Sequence, residues 1–89
     1  MDLERTINSV GKSTFVKYYY DFRDKSRDEC IKAFSEDYSD KAKGTRTGHA
    51  QRIFRGNKNI DALRIIIASN RVELETIRKA KEILAKENL

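Results

Sequence analysis

No proline interrupts this 89-residue chain, and its apolar side chains recur every three or four positions rather than in alternation. That combination restricts the fold to helices joined by short turns. With only four glycines, the chain offers neither strand-bounding turn clusters nor a stiff linker. A chain of this length has room for one core, and 38% apolar against 37% charged residues keeps that core small. The expected architecture is all-α: a single domain, a compact bundle of about five to six short helices with a buried helix near 60–68.

Leu3, Ile7 and Val10 predict a first helix over 2–10, with acids near its start and Gly11 as its stop. Gly11-Lys12-Ser13-Thr14 has the form of the tail of a phosphate-binding loop, but Thr6 stands where such a loop needs its earlier glycine and no strand precedes it. Ser13 or Thr14 reads instead as a cap. The next helix, over 14–22, turns Phe15, Tyr19 and Phe22 to the core and leaves Tyr18 as the tyrosine expected to be partly exposed. Ser26 and Glu29 form a capping box ahead of a helix carrying Cys30, Ile31, Ala33, Phe34 and Tyr38. On that apolar face Cys30 is a small buried hydrophobe.

From Tyr38 onward the periodicity breaks, so a longer basic loop is expected near 39–48. A short helix over 48–55 follows, capped by Thr45 or Thr47, docked by Ala50, Ile53 and Phe54, and stopped by Gly56-Asn57. Asn59 caps the apolar run 60–68, and Asn70 with Glu73 opens a last helix along Val72, Ile77, Ala80 and Leu84. The helices over 48–55 and 60–68 have the outline of a helix-turn-helix, with the order reversed: the first, not the second, carries the arginines.

Charge is segregated. Residues 1–40 carry a net −2, residues 72–89 are neutral, and residues 41–71 hold eight cations against Asp61 alone. Such a block suits a polyanion. The expected contact residues are Lys41, Lys43, Arg46, Thr47, His49, Gln51, Arg52, Arg55 and Lys58, whose side-chain types reach phosphates and purine edges. DNA or RNA is the expected ligand, and the alternative is an acidic partner protein meeting the same basic face. No nucleophile–base pair or paired carboxylates can be pointed to, so no enzymatic activity is expected. One cysteine and one histidine cannot furnish a zinc site, and no cofactor is expected. A lone cysteine, with no signal-type run and no apolar stretch approaching a membrane span, predicts a cytoplasmic protein without a membrane partner. The balanced last helix leaves a monomer or a weak homodimer as the expected state.

Overall fold

The computed structural model describes residues 1–88. Helix α1 spans Leu3–Val10, where the Asp2 carboxylate accepts from the Arg5 N–H at 3.2 Å. Gly11 ends it at φ +96°, a conformation that L side chains avoid. A Cβ at Gly11 would also lie 2.9 Å from Arg46 Nη1. Helices α2 (Lys12–Lys17) and α3 (Tyr19–Asp24) run almost end to end and are separated at Tyr18. Helix α4 (Arg27–Ala33) begins with the capping box at Ser26 and Glu29, both of its hydrogen bonds being present. Helices α5 (Asp40–Arg55), α6 (Asn59–Ile67) and α7 (Leu74–Glu87) complete an all-helical bundle. Helix α5 packs against α1, α3, α4 and α6, while α7 covers α2 and α6. No helix among the described residues is long and apolar enough to cross a membrane.

The largest departure from the sequence reading is at 39–48. This segment is not a loop but the first half of α5, a 16-residue helix opened by the Ser39 hydroxyl, which accepts from the Ala42 N–H at 3.1 Å. Gly44 and Gly48 are both helical, so packing has overridden their low propensity. No helix therefore starts at 48, and the N–H groups there are committed inside α5 rather than free to meet an anion. Helices α5 and α6 remain consecutive across residues 56–58, but the first is twice the length expected. Asn59 is the first residue of α6 instead of its cap, and its amide donates to the Tyr19 hydroxyl at 2.9 Å. The start of α7 carries no side-chain cap, so the box at Asn70 and Glu73 does not form.

The break at Tyr18 (φ −108°, ψ 22°) resolves the problem of three consecutive tyrosines. In an unbroken helix their rings would fan over more than half the circumference. The break turns Tyr18 and Tyr19 inward and leaves Tyr20 as the exposed one, at 36% against 6% for Tyr18. Buried Tyr18 anchors the 35–36 segment: its hydroxyl accepts from the Ser35 N–H at 2.9 Å and donates to Glu36 Oε1 at 2.5 Å. Lys17 pairs with the other Glu36 oxygen at 2.8 Å. These contacts, from Lys17 first and Tyr18 next, lower the Glu36 carboxyl from its ordinary 4.5 to about 2.

All four phenylalanines and all four tyrosines join one connected cluster, with ring centroids from 4.7 Å (Tyr18–Phe34) to 6.4 Å (Phe15–Phe22) apart. Phe54 brings α5 into it through Phe15 and Tyr19. Ile7, Val10 and Ile53 extend the core, as do Ala62, Leu63 and Ile66 from α6. The remaining isoleucines of α6, at 60, 65 and 67, are half-buried, so this helix is central without being enclosed on every side.

Ile66 has no exposed surface. Ile66→Ala is expected to cost about 2–5 kcal/mol in a urea melt, and a change within error would remove α6 from the core. Glu36 gives a second expectation. Its depressed carboxyl adds stability that is present above its ordinary 4.5 and lost as the pH falls toward about 2. Melting temperatures of the wild type and Glu36→Gln should therefore differ near neutrality and converge in acid, whereas a pH-independent difference would show that the ion pair contributes nothing.

Candidate functional site

A helix of 3.6 residues per turn puts positions 41, 45, 48, 52 and 55 on one stripe, within an arc of about 80°. In α5 that stripe is Lys41, Thr45, Gly48, Arg52 and Arg55, and it faces outward, with every member but the half-buried Gly48 exposed. Thr47, Ala50 and Ile53 fill the opposite side, while buried Gly44 lies on the flank, about 60° from the centre of the stripe. The stripe rises about 21 Å from Lys41 to Arg55 at 1.5 Å per residue. Lys58 follows in the turn to α6, exposed, its Cγ folded to 3.7 Å from where a Gly56 Cβ would stand. Asn57, rather than Gly56, takes the left-handed conformation of this turn, at φ 56°.

None of the eight cations between 41 and 71 is paired with a carboxylate among the described residues. The ion-paired cations there are Lys17, Arg23, Lys25 and Arg78, all outside that stretch. Among the described residues, then, no carboxylate pairs with the positive charge on the stripe. Arg64 is exposed on α6, and Arg71 lies beside Lys12 at a surface hollow of about 310 Å³ rather than on α5. That hollow also touches Gly11 and Ser13, the phosphate-loop-like residues; a helix, α1, precedes them where such a loop requires a strand.

Three of the nine contact residues expected from sequence serve the fold instead. Arg46 Nη1 donates to the Val10 carbonyl at 2.6 Å, and the guanidinium carbon sits 4.3 Å from the Tyr38 ring centroid. A cation on the last carbonyl of α1 answers both an open acceptor and the negative end of the helix dipole. Gln51 Nε2 donates to the Lys25 carbonyl at 2.9 Å, capping the end of α3. Thr47 is fully buried, and its hydroxyl has no partner among the described residues. Lys41, Arg52, Arg55 and Lys58 remain exposed as expected, and Lys43 and His49 are half-buried, His49 beside the stripe and Lys43 on the opposite side of the helix.

Sequence reasoning missed Gly48 and Thr45 as members of the stripe. The signal was available: once Ser39 is taken as the cap, the period carries straight through both glycines. Cys30 matches expectation, being buried with its thiol pushed up first by burial and then by the Asp21 charge. Its S–H donates to the Asp21 carbonyl at 3.2 Å. Comparison with protein-family models, curated proteins and solved structures finds no match. Function must therefore be argued from the chain's own surface.

The division of the arginines is testable by stability alone. Arg46→Ala should cost about 1.5–3 kcal/mol, the range for a hydrogen bond made by a charged group. Arg52→Ala should stay within about 0.5 kcal/mol, as for an exposed side chain without a partner. Equal effects in parallel urea melts would reject the distinction.

Proposed function

We propose that the protein binds nucleic acid, DNA or RNA, through the exposed stripe of α5 with Lys58 at its end. The observation that carries this reading is the line of Lys41, Arg52 and Arg55 along a single helix, unpaired with acids among the described residues. Each such cation that meets a phosphate releases a condensed counterion, which supplies affinity without reading sequence. Gln51 and Thr47, the side chains best suited to base edges, are turned inward. Recognition therefore rests on phosphates, with modest sequence specificity. An acidic partner protein could use the same charges, and the experiment separates the two ligands.

Fluorescence anisotropy with labelled duplex DNA, single-stranded DNA, structured RNA and an acidic polypeptide, each at two salt concentrations, provides the test. If the four cations Lys41, Arg52, Arg55 and Lys58 each meet one phosphate of a duplex, log K should fall against log salt with a slope of about −3 to −4. Arg52→Ala combined with Arg55→Ala should reduce that slope by about two and weaken binding while leaving the circular dichroism spectrum unchanged. Absence of nucleic-acid binding at low salt, or tighter capture of the acidic polypeptide, would reject the reading.

A further inference from the structure

Helix α5 contains two glycines, and packing accounts for one of them. At buried Gly44 a Cβ would stand 2.5 Å from Arg27 Nη2 and 3.7 Å from Ile31 Cδ1, so the bare position is what lets the Arg27 side chain lie against α5. Gly48, one turn later, is different. Its φ is not positive, and a Cβ there would meet nothing within 4 Å. The fold does not ask for glycine at 48, where alanine would give a better helix. Its neighbours along the stripe are Thr45 and Arg52, then Lys41 and Arg55 one turn further out on either side. A bare patch of helix backbone between two sets of cations is where the backbone of a ligand can approach closest.

We infer that the ligand is duplex DNA, and that one of its sugar–phosphate strands crosses α5 at Gly48, held by Lys41 on one side and by Arg52 and Arg55 on the other. This rests on the nucleic-acid reading above and specifies its ligand. Single strands are gripped by stacking bases on exposed aromatic rings. The stripe carries none: Phe54 packs into the core, and Tyr20, on α3, lies with its ring centroid 4.8 Å from the Arg23 guanidinium carbon. Double-stranded RNA is recognised largely through its 2′-hydroxyls, by polar groups lining a shallow groove. The stripe offers a single hydroxyl for that, Thr45, which has given its proton to the Lys41 carbonyl at 3.0 Å and keeps only acceptor capacity. A second copy of the chain meeting this same face would set cations against cations.

The experiment compares the full chain with Gly48→Ala, Gly48→Met and the Arg52→Ala/Arg55→Ala double variant, on labelled duplex DNA, the same sequence single-stranded, and duplex RNA. Gly48→Ala should melt higher, by roughly 4–8 °C, because it improves the helix and meets no obstacle. It should nonetheless bind duplex DNA about tenfold more weakly, and Gly48→Met more weakly still. A variant that is more stable yet binds less cannot owe its loss to misfolding. If the wild type binds duplex DNA and the double arginine variant does not, while both Gly48 variants bind like the wild type, the crossing at Gly48 is overturned and the nucleic-acid reading stands. Tighter binding of single-stranded DNA or of duplex RNA overturns the choice of ligand. Failure of the wild type to bind any of the three overturns the nucleic-acid reading and this inference together.

Discussion

The carbonyls at the C-terminal end of a helix need donors, and in a chain with helices as short as six residues that demand recurs within a few turns. Helix α5 answers it twice. Arg46 reaches the last carbonyl of α1, and Gln51 reaches the carbonyl that closes α3. The two side chains leave the same helix five residues apart, about 140° around its axis, so α5 ties the end of α1 to the end of α3. Phe54 completes the joint by entering the aromatic cluster between Phe15 and Tyr19. The rest of the bundle is arranged about this one element.

The same helix therefore has two chemistries, divided by face. Toward the bundle, Arg46 and Gln51 donate to backbone carbonyls and Thr47 and Ala50 are fully buried. Outward, its cations pair with no acid among the described residues. Five of the acids are committed to cations outside residues 41–71: Glu36 to Lys17, Asp21 to Lys25, Asp24 and Glu87 to Arg23, and Glu75 to Arg78. Glu87 also accepts from the Tyr19 hydroxyl at 2.7 Å, tying the end of α7 to α3. The charge segregation visible in the sequence survives folding: among the described residues no carboxylate pairs with a cation between 41 and 71.

Much of the fold was legible from residue spacing. The all-helical class, the stop at Gly11, the Ser26–Glu29 box and the centrality of 60–68 all follow from periods and caps that act over one or two turns. The length of α5 was only half legible, since Ser39 marks its start while the two glycines mask its continuation. Gly44, Thr45, Thr47 and Gly48 are poor helix formers, and local propensity argues for a loop; the packing that overrides it joins residues far apart in the chain, such as Arg46 with Val10 and Gln51 with Lys25. The contact residues divided for the same reason. Exposed Lys41, Arg52, Arg55 and Lys58 could be read from charge alone, whereas the structural duties of Arg46, Gln51 and Thr47 depend on where other helices end. Tyr18, expected to be partly exposed, is buried because a single non-helical residue redirects the rings around it.

The helical state of residues 40–48 has a thermodynamic consequence. Fixing a flexible backbone costs about 1–2 kcal/mol per residue in conformational entropy, so a basic loop of this length would owe on the order of 10 kcal/mol when a ligand ordered it. In α5 that entropy has already been lost, offset by the aromatic cluster and the two carbonyl caps when the chain folds. The cations on its outer face are consequently displayed in a fixed geometry before any encounter, and a partner that fits them gains their attraction with no backbone left to order.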